Sequence, residues 1–131
     1  MVAILLVVGF EVQKHREGRP ALDAASAAIA PRSPEADLAA IQLGRRPRRF
    51  NSTLKRIAAL LDILEADCPA NTRRDLADLT VDTLRDLRHA RISGATPTQI
   101  LGGVLGSETM GAASECSGFF KRYVTRRRDE G

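Results

Sequence analysis

Between Asn51 and Arg127, apolar residues recur at three- and four-residue intervals between residues that start and stop helices. This agreement of stripe, cap and break constrains the fold more than any other feature of the chain. Leu54, Ile57, Leu61 and Leu64 share one face of a helix predicted to begin at Asn51 or Ser52, run through Asp67 and stop at Pro69. Asn71 is read as the cap of the next helix, over about residues 72–92, with Gly94 as its terminator. There Leu76, Leu79, Leu84 and Leu87 form an apolar stripe, and Asp75, Asp78, Asp82 and Asp86 line an acidic side. The short link Cys68-Pro69-Ala70-Asn71 predicts that these two helices pack as an antiparallel hairpin.

Thr96-Pro97-Thr98-Gln99 carries the capping-box signature, with proline at the first helical position. It opens a short helix bearing Ile100, Leu101, Val104 and Leu105. Gly102 and Gly103 weaken that helix by up to about 1 kcal/mol each relative to alanine, and they leave room for a neighbouring helix to come close. After a turn over residues 106–111, a final helix is expected from near Ser114 to about Arg127. Its Phe119, Phe120 and Tyr123 are spaced to anchor it on the other helices.

Aromatic residues make up only 4% of the chain, so its core must come from Leu, Ile, Val and Ala, which favours helices over a β-sandwich. With 131 residues, one core is expected. The fold class predicted is all-α, a small helical bundle. Residues 1–50 read as an irregular N-terminal segment with short helices, and residues 51–131 as a helical domain with a basic tail. In the first segment Ser33, Pro34 and Glu35 open a short helix that Gly44 closes. Met1 to Phe10 is strongly apolar but shorter than the roughly 20 residues that span a bilayer. It also lacks a basic leader, so it is read as a buried strand or helix start, with a membrane-touching role as the weaker alternative. Cys68 and Cys116 form no CxxC pair and have no neighbouring histidine, so they are expected to be reduced thiols in a cytoplasmic protein.

Basic residues number 20 against 16 acidic ones, and only Lys14, Lys55 and Lys121 are lysines. The arginine fork matches phosphate oxygens, although an arginine-rich habit of the source explains the bias equally well. From Arg45 to Arg56 there are six positive charges and no negative one, which reads either as a solvated linker or as a phosphate contact. A second cluster, Lys121, Arg122, Arg126, Arg127 and Arg128, falls late in the last helix. Catalysis finds no support. His15 and His89 have no nucleophile matched to them, and the carboxylates at 75, 78, 82 and 86 lack the Glu-x-x-His partners of a helical metal site. No phosphate-cradling glycine loop is present either. The expectation is therefore a protein that is not an enzyme, with no cofactor and no metal.

The segment LRDLRHARISGATPTQIL (84–101), followed by SECSGFFKRYV (114–124), resembles the helix-turn-helix of small bacterial and plasmid proteins, including accessory DNA-binding proteins of conjugative transfer. The resemblance covers about a third of the chain and implies a helix-turn-helix-like C-terminal three-helix unit whose last helix contacts DNA. It carries the contact onto Ser114, Ser117, Lys121, Arg122 and Arg126. Glu115 and the long turn at 106–111 depart from the pattern. Arg127 and Arg128, with Arg45, Arg46, Arg48 and Arg49, would add phosphate contacts. The expected function is that of a DNA-binding regulator or accessory protein, with a homodimer plausible from its small size. The alternative is a helical protein-interaction subunit whose basic runs meet an acidic partner protein.

Overall fold

The computed structural model of the chain describes residues 28–106 and 115–130. Five helices carry these residues: α1 (Pro34–Leu43), α2 (Ser52–Asp67), α3 (Arg73–His89), α4 (Pro97–Leu105) and α5 (Ser117–Glu130). The described residues form an all-α bundle. Among the described residues extended backbone pairs at one isolated antiparallel bridge, Ile29 with Arg48. The apolar run Met1 to Phe10 and His15 lie outside the described residues.

One core joins all five helices. Leu38 and Ala39 of α1 meet Ile57, Leu61 and Leu64 of α2, Leu76, Leu84 and Leu87 of α3, Ile100, Leu101 and Val104 of α4, and Phe120, Tyr123 and Val124 of α5. Helices α3 and α4 each touch every other helix, so they form the inner frame on which α1, α2 and α5 rest. The apolar stripes read from the sequence are the faces that pack, with Leu54, Leu79 and Leu105 half-buried at their edges. The buried side of α3 also holds Thr80 and Thr83, whose hydroxyls donate to the carbonyls of Leu76 and Leu79 at 2.8 Å and so cost no unpaired donor.

Most helix ends follow the signals in the sequence. Ser33 Oγ accepts from the Ala36 N–H at 3.1 Å, and Gly44 caps α1 with a left-handed φ of 73°. Asn51 caps α2 by accepting from the N–H groups of Thr53 and Leu54 at 2.8 and 3.2 Å. Thr96 and Gln99 close the expected reciprocal box on α4.

Both ends of α3 differ from the expectation. Its N-cap is Thr72, not Asn71, because Thr72 and Asp75 form a capping box that satisfies two backbone donors at once. Its C-terminus is made by Arg91, not Gly94. The N–H of Arg91 donates to the Arg88 carbonyl at 2.9 Å and that of Ile92 to the Leu87 carbonyl at 2.8 Å. These are the paired bonds of a Schellman motif, with Arg91 held at φ 62° in the position that usually takes glycine.

The expectation of two reduced thiols is overturned, since Cys68 and Cys116 form a disulfide with Cα atoms 5.8 Å apart. Both cysteines are fully buried. Their separation of 48 residues gave no hint of this pairing. The fold supplies it by laying the start of α5 against the turn between α2 and α3. Tyr123 of α5 likewise reaches α4 because residue 103 is glycine. A Cβ there would overlap Cε2 of the ring and stand 2.8 Å from Cδ2, whereas a Cβ at Gly102 meets nothing within 4 Å.

Candidate nucleic-acid interface

Helix α5 is fixed at its N-terminus and solvated along its basic side. Cys116, the residue before the helix, donates its N–H to Asn71 Oδ1 at 2.8 Å, beside the disulfide. Asn71 Nδ2 donates to Glu115 Oε1 at 3.2 Å. The Glu115 carboxylate also accepts from the Ser117 N–H at 2.9 Å and from the Ser117 hydroxyl at 2.6 Å. These bonds from Ser117, then Asn71, hold the Glu115 carboxyl below its ordinary range. The helix start is thus a carboxylate-capped, covalently anchored end, and Ser117 is occupied there. Ser114 lies outside the described residues.

Phe120, Tyr123 and Val124 bury one side of α5. Phe119 is half-buried. Lys121, Arg122, Arg126 and Arg128 are exposed on the other side. Two of these guanidiniums lie over aromatic rings, Arg122 over Phe119 at 5.3 Å and Arg126 over Tyr123 at 5.4 Å. Arg126 Nη2 also approaches the Gly103 carbonyl at 3.5 Å, the outer limit of a hydrogen bond. Arg127 is different. It is half-buried, and its Nη1 donates to the Tyr123 hydroxyl at 3.1 Å, so it belongs to the packing of that ring. Asp129 and Glu130, both exposed, follow the basic cluster at the helix end. The cationic surface therefore occupies the middle and later turns of α5, away from its anchored start.

Arg45, Arg46, Arg48 and Arg49 form a second exposed group between α1 and α2. The solvated-linker reading of this run is not what the fold uses. Pro47 is buried, the Ala30 N–H donates to the Pro47 carbonyl at 3.0 Å, and the Arg49 N–H donates to Ala28 at 2.8 Å. Arg46 Nη2 donates to the Ala30 carbonyl at 3.1 Å. This group is held by the 28–30 segment, while α5 rests on α3 and α4, so the two basic groups have different neighbours.

Arg73 turns away from the acidic side of its own helix to the other helices. It binds Glu35 at 2.8 Å, Asp62 at 2.7 Å and Glu65 at 2.6 Å, linking α1, α2 and α3. Burial opposes its charge, yet these hydrogen bonds raise its pKa further. Arg74 pairs with Asp37 of α1 at 3.1 Å, and Arg85 lies 3.5 Å from Asp82 on its own helix. Asp75 is spent in the capping box. Among the described residues no three His, Cys, Asp or Glu side chains converge as metal ligands. His89 is exposed in the last turn of α3.

The sequence reading passed over Phe50, which is 58% exposed with Lys55 Nζ 5.6 Å from its ring centre, and Ile29, which is 59% exposed. An aromatic closing an arginine run was the available signal for Phe50. Among the described residues no helix is long and apolar enough to cross a membrane. No family model matches the chain, and no curated protein or solved structure matches it.

Proposed function

We propose that this protein is a non-catalytic DNA-binding accessory factor that grips the phosphate backbone through the exposed side of α5. The observation that carries this reading is that Lys121, Arg122, Arg126 and Arg128 are all exposed on a helix whose other side is locked into the core. A rigid helix that presents cations at fixed spacing loses little conformational freedom on meeting phosphates, and the counterions released there drive association. Helices α3, α4 and α5 serve as the helix-turn-helix-like unit, with α3 and α4 bracing α5.

The anchored start of α5 alters how such a unit meets DNA. Recognition helices usually offer their N-terminal residues to base edges. Here Glu115 places a carboxylate at that end and Ser117 is already bonded to it. The contact is therefore with phosphates, made by the later turns, and sequence preference is weak. The disulfide favours an oxidising compartment over the cytoplasm first expected, since buried bonds of this kind persist there. A protein that handles DNA during its passage between cells fits both features.

Fluorescence anisotropy with a labelled duplex tests the reading. Lys121→Ala/Arg126→Ala/Arg128→Ala should weaken binding at least about tenfold with helical circular dichroism unchanged. Equal binding by the variant and the wild type would reject it.

One further observation favours the alternative, a subunit that binds an acidic protein. Arg32, Arg46 and Arg74 line an open groove of about 470 Å³ between α1 and α3 beside the exposed Ile41, and its one carboxylate, Asp37, pairs with Arg32 at 3.7 Å and Arg74 at 3.1 Å, which leaves the groove net positive. Chemical crosslinking to an acidic peptide, lost in Arg32→Ala/Arg74→Ala, is the result that would support this second reading over the first.

A further inference from the structure

The geometry points to a docking edge for an anionic lipid bilayer, formed by Ile29 and Phe50 within the cations Arg45, Arg49, Lys55 and Arg56. Four large hydrophobic residues are exposed among those described, and two of them, Ile29 and Phe50, lie on the two segments that the bridge joins. Ile29 pairs with Arg48 across the antiparallel bridge, and Phe50 stands two residues beyond that partner. Both side chains are more than half exposed, while Ala30 and Pro47 of the same two segments are buried. Arg45, Arg49, Lys55 and Arg56 are exposed in the same stretch of chain as Phe50, and no acidic residue occurs from Leu38 to Leu61. A groove of about 290 Å³ lined by Ala30, Leu54, Ala58, Arg49 and Lys55 opens next to the same segments, without Phe50 in its lining. Its one carboxylate, Glu35, is neutralised by Arg73.

Hydrocarbon flanked by cations is the pattern that suits a bilayer surface. Apolar side chains enter the boundary between headgroups and acyl chains while basic residues remain with anionic headgroups. Lys55 is exposed and carries its ammonium 5.6 Å from the centre of the Phe50 ring, so cation and hydrocarbon stand together at this edge. Single-stranded nucleic acid is the competing polyanion, but stacking needs a free aromatic face. Lys55 already covers one face of Phe50, and Ile29 offers no ring at all.

The full chain contains no tryptophan, so Phe50→Trp creates a single emission probe at the edge. Ile63→Trp provides the control, since Ile63 is half exposed on α2 roughly 17 Å along the helix from Ser52. Vesicles containing phosphatidylglycerol should shift the emission of the probe at position 50 to the blue and leave that at position 63 unchanged. Vesicles of phosphatidylcholine alone should shift neither. Adding Arg49→Glu and Lys55→Glu to the Phe50→Trp protein should raise the lipid needed for the shift at least about tenfold. The inference is overturned by no shift at position 50, by equal shifts at both positions, or by equal response to the two lipids. It is also overturned if a single-stranded oligonucleotide quenches the probe and the anionic vesicles do not displace it.

Discussion

Arg91 stands at φ 62° at the end of α3, in a conformation that costs a residue with a Cβ about 1 kcal/mol or more and costs glycine almost nothing. Arg91→Gly is expected to raise stability by about 0.5–1 kcal/mol in urea denaturation, with both Schellman bonds retained. The adjacent glycines of α4 separate two effects in the same assay. Gly102→Ala should stabilise by up to about 1 kcal/mol, because the new methyl meets nothing and helix propensity improves. Gly103→Ala should destabilise by about 1–3 kcal/mol, because Tyr123 must leave its place. Glu35 gives a pH signature. Partial burial opposes its charge, but hydrogen bonds from Arg73, from its own N–H and from Ser33, with the Arg73 charge, hold its carboxyl below the ordinary value. A carboxyl depressed in the folded state stabilises fully above its unfolded pKa and loses that stabilisation as pH falls through the folded one. Glu35→Gln should therefore flatten the acid limb of the stability curve and lower stability near neutral pH.

Helix α5 is the element on which fold and site depend together, and the Cys68–Cys116 bond ties it to the α2–α3 turn. Closing a loop of this size stabilises a fold by about 4 kcal/mol in the chain-entropy description. Cys68→Ser/Cys116→Ser should lower Tm by roughly 15 °C or more. The same variant should still place Phe120 and Tyr123 in the core at low temperature, which near-ultraviolet circular dichroism of Tyr123 reads. How far the elements were legible depended on where their causes lay. The faces of α2 and α4 could be read because Ile57, Leu61, Leu64 and Ile100, Leu101, Val104 are set by helical periodicity, a local property. The cap of α3 was misplaced by one residue because Asn71 and Thr72 are both good caps, and only the tertiary partners Glu115 and Cys116 draw Asn71 away. The disulfide, the Arg73 network and the exposure of Phe50 join segments distant in sequence, so no local pattern encodes them. For the site, the sequence identified the basic residues of α5 but could not divide them. Burial gives Arg127 to Tyr123 and leaves Lys121, Arg122, Arg126 and Arg128 at the surface.

Across the whole molecule the net charge of +4 is small, and its arrangement matters more than its size. One basic group lies along α5 and the other on the loop pinned to residues 28–30, each supported by different elements. On the proposed reading α5 holds the phosphates while the loop group serves a second contact. The salt dependence of duplex binding tests the α5 contact most directly, because each phosphate neutralised adds about 0.9 to the slope of log K against log salt. Anisotropy titrations across a range of salt should give the wild type a steep slope, and Lys121→Ala/Arg126→Ala/Arg128→Ala a slope shallower by up to about 2.7. A wild-type slope near zero, or a variant slope equal to that of the wild type, would contradict the assignment of α5 as the phosphate-gripping helix.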